Sequence, residues 1–173
     1  MQSESTGNIH LDTWLRRWEA EGSLTDALLH SLSDRSLAEV FHPNIRTIGR
    51  LVWHILETPK EMLGRTGLLV AGPEYDSTPV KTVQELIDTH RQVVTSVSRE
   101  LSAKWDDSTL HESDDMYGEQ WTRKRTLESL VAHLIHHRGQ LTVLMRLAGL
   151  PVPGIYGPSK EEWSRFGMQA PKV

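Results

Sequence analysis

The segment from Leu127 to Gly149, LESLVAHLIHHRGQLTVLMRLAG, constrains the fold more than any other part of the chain. Its apolar residues recur at steps of three and four, which predicts an amphipathic helix with one buried stripe. They are Leu127, Leu130, Val131, Leu134, Leu141, Leu144, Met145 and Ala148. His137 falls within this stripe, and His133 lies one turn earlier on the same side. Because a buried imidazole nitrogen without a partner costs free energy, these two histidines need an explanation.

Three further segments show the same periodicity and predict helices over residues 9–33, over residues 44–65, and from a start at either Pro79 or Thr82 to residue 104. Thr82 and Glu85 form a capping-box pattern at the start of the third helix. Pro59 is expected to end or kink the second helix. A short C-terminal helix capped by Ser159 is also expected. With no alternating strand pattern, the sequence predicts an all-α four-helix bundle.

The remaining segments are predicted to be loops. Residues 67–79 are rich in turn-forming residues. Residues 105–125 lack clear periodicity, and a loop of this length inside a domain is often functional. Residues 1–7 are expected to form a disordered lead-in. A length of 173 residues fits one domain spanning 1–173.

Composition excludes several classes of function. A net charge of −4 and a pI near 6.1 argue against a nucleic-acid-binding surface. The absence of cysteine excludes disulfides, thiolate ligands and a cysteine nucleophile. No apolar run reaches membrane-spanning length, and the N-terminus lacks a signal-peptide pattern. We therefore expect a cytoplasmic protein without a membrane or nucleic-acid partner.

The histidine pair of the last helix is compatible with metal binding. Residues four apart on a helix lie on one face, so His133 and His137 are close enough to bind one ion. Spacing alone leaves two alternatives, a half-buried histidine hydrogen-bonded to a neighbouring helix and a solvated pair. A third ligand would come from His54, on the flank of its helix's stripe, or from His90, within its stripe. Periodicity favours His90, while His136 points away at about 100° per residue.

Several motifs together resemble the DinB/YfiT-like family of bacterial proteins. The most specific are HLIHHRGQL at 133–141 and RLAGLPVP at 146–153. IGRLVWHI at 48–55, YGEQWT at 117–122 and IYGP at 155–158 are further matches. The resemblance is strongest over residues 45–159.

The resemblance implies an up-down-down-up bundle, often dimeric, that binds a divalent metal. Carried onto this chain, the implied ligands are His54 from the second helix and His133 and His137 from the fourth. The resemblance therefore replaces His90 with His54. Three imidazoles would leave coordination positions for water or substrate, and both zinc and nickel accept such a ligand set.

Some members of the family are metal-dependent thiol transferases. The resemblance thus implies an enzyme that activates a small thiol, or water, for attack on an electrophilic small molecule. The alternative is a stress- or damage-induced metal-binding protein without catalytic turnover. No residue is assigned as a general acid or base. Helix geometry predicts that Glu61, rather than Glu57, lies closer to His54.

Other matched residues carry structural expectations. Gly139, in mid-helix, costs about 1 kcal/mol relative to alanine, so we expect a neighbouring helix or a partner subunit to approach it closely. Arg138 and Gln140 are expected to hold the bundle together or to fix the imidazoles. Three aromatic residues are expected either to wall a cleft or to pack in the ordinary way. These are Tyr117, Trp121 and Tyr156.

Overall fold

The computed structural model describes residues 8–172, so the expected lead-in at 1–7 lies outside the described residues. The elements in chain order are α1 (Ile9–Leu29), α2 (Asp34–Leu37), α3 (Ile48–Gly64), α4 (Val83–Lys104), β1 (Ser113–Met116), β2 (Glu119–Thr122) and α5 (Arg123–Leu147). The four long helices α1, α3, α4 and α5 are those that periodicity predicts. Among the described residues, no helix is long and apolar enough to span a membrane.

Contacts at the ends of α1 define its direction relative to α4 and α5. The backbone N–H of Leu11, near the start of α1, donates to the carboxylate of Asp107, which follows α4. Trp14 in the first half of α1 donates its indole N–H to the carbonyl of Leu127, near the start of α5. Helix α1 is therefore antiparallel to α4 and parallel to α5.

Contacts of α3 complete the topology. Arg50, near its start, donates to the carbonyl of Ser77, which precedes α4. Glu61, near its end, accepts a hydrogen bond from the hydroxyl of Tyr117, which precedes α5. Helix α3 is therefore parallel to α4 and antiparallel to α5. The order is up-down-down-up, as the resemblance implied.

Side-chain caps define where three of the long helices begin. Thr47, Thr82 and Thr122 each accept a hydrogen bond from the backbone N–H three residues later. Thr82 forms the expected capping box with Glu85. The cap at Thr47 places the start of α3 at Ile48, four residues later than predicted.

Helices α1 and α3 both continue past a residue that disfavours helical structure, so Pro59 does not end the second helix. Helix α1 continues through Gly22, where a Cβ atom would lie 3.1 Å from a methyl group of Val94 on α4. Glycine at this position permits close packing of the two helices. Helix α3 continues past Pro59 to Gly64. Met62 and Leu63, which follow the proline, are buried in the core, so packing outweighs the lost backbone hydrogen bond.

The predicted loop at 105–125 is only partly irregular, because it contains an antiparallel hairpin. Strands β1 and β2 pair Asp114 with Trp121 and Met116 with Glu119. Tyr117 and Gly118 between them both have positive φ, at 60° and 84°, as a tight type I′ hairpin turn requires. Strands of four residues are too short for their alternation to be recognised in the sequence. At the C-terminal end, the expected short helix is a single 3₁₀ turn, Trp163–Phe166.

Candidate metal centre

Three imidazoles from two antiparallel helices converge on one point. His54 lies in the middle of α3, and His133 and His137 lie one turn apart on α5. The Nε2 atom of His133 is 3.2 Å from Nε2 of His54 and 3.1 Å from Nε2 of His137. Donor atoms of all three lie within 4.8 Å of one another. The structure thus brings together the three histidines that the resemblance indicated.

The opposite ring nitrogens show which atoms carry protons. Nδ1 of His54 is 3.3 Å from a carboxylate oxygen of Glu57, and Nδ1 of His137 is 2.7 Å from the amide oxygen of Gln140. Because both oxygens only accept, each Nδ1 donates, and the Nε2 atoms of His54 and His137 present lone pairs. His133 can donate to only one of them. A lone pair therefore remains directed at the centre without a protein donor, which is the arrangement a cation satisfies.

The spacing of the nitrogens fits a small divalent ion. In a tetrahedral zinc site, zinc–nitrogen bonds of about 2.0–2.1 Å place neighbouring nitrogens about 3.3–3.4 Å apart. The two adjacent Nε2 separations, 3.1 and 3.2 Å, are close to this value. The residues present fit a metal ion, and no other histidine or acidic residue joins the group within residues 8–172.

The surroundings keep the imidazoles neutral. Burial lowers the pKa of His133 to about 4, and the neighbouring histidines and Arg46 contribute further to the lowering. Burial likewise lowers the pKa of His54, against the hydrogen bond with Glu57, which raises it. Burial is also the main cause of the lowered pKa of His137. Because only a neutral imidazole donates a lone pair to a metal, lowered pKa values preserve the ligands at neutral pH.

The acidic partner of His54 is Glu57, so the expectation that Glu61 lies closer is wrong. Glu57 is buried, and the same oxygen that faces His54 also accepts a hydrogen bond of 2.9 Å from Arg50. Glu61 instead accepts from Tyr117 and Arg65. His54 and Glu57 are three residues apart, close to one helical turn, and this spacing is the sequence signal for the contact.

Gln140 binds the imidazole of His137, and Gln140 itself is exposed on α5. Its oxygen accepts from Nδ1 of His137, and its Nε2 is 3.1 Å from a ring nitrogen of His136. His136 is exposed and lies outside the group of three, as its helical position predicts. Gln140 thus orients His137, which is one of the two roles expected for this residue.

Replacing Gln140 by alanine is expected to weaken metal binding roughly 10- to 100-fold, because His137 loses the acceptor that orients its ring. Gln140→Glu keeps an acceptor at the same place and should bind metal at least as tightly as the unaltered protein. Competition titrations against a chromogenic chelator measure both affinities. Equal affinities for all three proteins would show that Gln140 does not orient a ligand.

His90, which periodicity favoured, lies outside the group of three. It is buried, and burial lowers its pKa to about 4. Its Nδ1 is 3.9 Å from a carboxylate oxygen of Asp26 on α1. It shares a small cavity of about 20 Å³ with His133, so it lies nearby but faces α1. Periodicity indicates that a side chain is buried, without indicating which neighbouring helix it meets.

The other matched residues have structural roles. Arg138 is buried and binds the backbone carbonyl and carboxylate of Glu21, so it holds α5 to α1. The hydroxyl of Tyr156 donates to Glu21 at 2.7 Å. Tyr117 and Trp121 pack edge to face in and beside the hairpin turn. No described atom of the chain lies within 4 Å of a Cβ placed on Gly139, so the expected close approach by another helix of the chain is wrong.

A cleft of about 570 Å³ lies beside Gln140, and none of the three histidines lines it. Gln140, which binds His137, forms part of its wall. The other lining residues are Asn44, Ile45, Arg46, Leu51, Val143 and Leu144. This volume is in the range of small-molecule sites.

Comparisons with known proteins agree on one family. A model described as the DinB family matches residues 1–172. The uncharacterized protein YrdA of Bacillus subtilis (strain 168) is 40% identical over 163 residues, which are 94% of this chain and 98% of YrdA.

Solved structures show the same fold. A DinB-like protein from Bacillus cereus ATCC 10987 superposes with a TM-score of 0.80 at 36% identity, covering 84% of this chain and 97% of that one. The DinB-like protein YjoA from Bacillus subtilis has a TM-score of 0.63 at 19% identity, with 79% and 92% covered, and supports the fold alone.

Proposed function

Since the chain belongs to the DinB family, we propose that it binds one divalent cation through His54, His133 and His137 and catalyses attack of a small thiol, or of water, on an electrophilic small molecule. The observation that carries this proposal is the convergence of three Nε2 atoms, two of them with the opposite nitrogen fixed by Glu57 and Gln140. When bound, a divalent cation lowers the pKa of a coordinated thiol or water, so that a nucleophile forms near neutral pH.

The protein's own residues have defined tasks in this mechanism. Glu57 and Gln140 orient His54 and His137, and burial keeps the imidazoles neutral. Three protein ligands leave coordination positions for a nucleophile, as in catalytic zinc sites. The cleft beside Gln140 provides space for the electrophile.

We propose zinc or nickel as the ion, because neutral imidazoles suit both. Magnesium and calcium prefer oxygen ligands, and within the described residues the group contains none.

The second candidate is a stress-induced metal-binding protein without turnover. A site that only binds metal is typically closed by four protein ligands. The three-histidine group and the cleft beside Gln140 favour the enzyme.

We also propose a homodimer. On α5, Gly139 faces open space, so a second copy of the chain could approach the helix closely at this residue.

An assay of thiol transfer tests the proposed activity. The metal-loaded protein is incubated with low-molecular-weight thiols and 1-chloro-2,4-dinitrobenzene, in which the thiol sulfur bonds to the aryl carbon while chloride and a proton leave. We expect at least one thiol to react faster than in the protein-free control, with the acceleration abolished by a chelator and restored by zinc or nickel. Ester hydrolysis under the same conditions tests water as the nucleophile. Stoichiometric metal without acceleration of either reaction would favour the binding protein.

A further inference from the structure

The cleft beside Gln140 combines one cation with an apolar wall. Ile45 and Val143 line it and are 48% and 59% exposed, and Leu51 and Leu144 form its buried side. Asn44, Arg46 and Gln140 supply its polar groups. Two exposed aliphatic side chains facing a shared cleft present apolar surface to a ligand rather than to the core.

Arg46 stands out among the charged residues near the site. It is exposed, and within residues 8–172 its guanidinium makes no hydrogen bond or ion pair. The neighbouring Arg50, in contrast, is bound by Glu57 and Asp76. Arg46 is close enough to all three imidazoles for its charge to lower the pKa of each, although burial is the larger cause.

We propose that the cleft binds the substrate of the metal site as a small amphipathic carboxylate, with the carboxylate on Arg46 and the apolar part against Ile45, Val143 and Leu144. This inference rests on the proposed function, because it assigns the substrate of the same site. A guanidinium presents a planar pair of N–H groups that matches a carboxylate, and one positive charge balances one negative charge.

The position of Arg46 relative to Gln140 orients such a ligand. Gln140 lines the same cleft as Arg46 and binds His137, so a ligand that reaches from Arg46 to Gln140 contacts the residue that orients this imidazole. The anionic group would be held at Arg46, and the apolar part of the molecule would lie along the cleft wall that includes Gln140. Positive charge beside a cleft also raises the local concentration of an anionic ligand.

Calorimetric titration of the metal-loaded protein tests this assignment with three probes that each contain six carbon atoms. They are hexanoate, the neutral hexanamide and hexyl phosphate. We expect hexanoate to bind at least about tenfold more tightly than hexanamide, because the amide has no negative charge and offers the guanidinium one acceptor oxygen instead of two. Arg46→Gln should remove this difference. Arg16→Gln, a change at an exposed arginine on α1 outside the cleft, should keep it.

Three results would overturn the assignment of a carboxylate to Arg46. Equal affinities for hexanoate and hexanamide, no saturable binding of hexanoate, or an unchanged preference in Arg46→Gln overturns the inference. Tighter binding of hexyl phosphate than of hexanoate overturns the carboxylate as the preferred anion. Metal content and circular dichroism are measured on the same samples. If the unaltered protein fails to retain metal, the proposed function fails. If it retains metal and the carboxylate preference is absent, only the assignment of Arg46 fails.

Discussion

Simultaneous replacement of His133 and His137 by alanine is expected to reduce bound metal from about one ion per chain to near zero. The double variant leaves His54 as a single imidazole, and one ligand does not hold a divalent ion against buffer and chelator. The loss should exceed the roughly 10- to 100-fold effect of removing a partner that only orients a ligand. Elemental analysis of the purified protein, after dialysis against zinc or nickel, measures the stoichiometry.

Two other histidines provide matched controls. His136→Ala changes an exposed imidazole on the same helix, and His90→Gln changes the buried imidazole that periodicity favoured. Both variants should retain stoichiometric metal. Far-UV circular dichroism confirms that each variant remains helical. The assignment of the three ligands would be refuted if the double variant retained stoichiometric metal. It would also be refuted if the single variant His90→Gln lost its metal.

Replacement of Arg138 by methionine is expected to lower the free energy of unfolding by about 3–5 kcal/mol, the typical cost of leaving one partner of a buried ion pair unpaired. Arg138 is 1% exposed and Glu21 is 6% exposed. The guanidinium donates to the backbone carbonyl of Glu21 at 2.9 Å and also binds its carboxylate. Without the guanidinium, the buried carboxylate of Glu21 keeps only the hydroxyl of Tyr156 at 2.7 Å and the exposed Arg17 at 4.0 Å. Urea denaturation followed by circular dichroism measures the change.

An exposed ion pair and a double variant serve as controls. Arg146 pairs with Glu161 at the surface, and Arg146→Met should cost at most about 1 kcal/mol because solvent screens the pair. The double variant Arg138→Met, Glu21→Met removes both buried charges, so it should be more stable than Arg138→Met alone. If Arg138→Met is no more destabilising than Arg146→Met, the buried pair does not hold α1 to α5.

Relations within one helix were predictable from the sequence. A period of 3.6 residues places His133 and His137 on one side of α5 and His136 on another, whatever the rest of the chain does. Thr82 and Glu85 similarly predict their own cap, because every atom of a capping box lies within one helical turn. The topology and the grouping of His54 with the pair came from the family resemblance rather than from periodicity.

The predictions that proved wrong concern the helix that a buried side chain faces, the direction of a side chain, and pairing between short strands. Sequence periodicity describes none of these. Periodicity predicted burial for His90, and the residue is buried, but it faces Asp26 on α1. The side-chain direction of Glu57, and not helix position alone, brings its carboxylate to His54. The hairpin at Tyr117 was missed because its strands have only four residues each.

By itself, the sequence determined four amphipathic helices and a pair of inward-facing histidines on the last of them. Periodicity left the third histidine open between His54 and His90, and the family resemblance indicated His54. Only the tertiary structure decided that Glu57 is the acid beside His54 and that a cleft opens beside Gln140. The physical reason is that the rotation and direction of one helix against another depend on side-chain packing summed over both surfaces. Residues far apart in the chain, such as His54 and His133, meet only after that packing is complete.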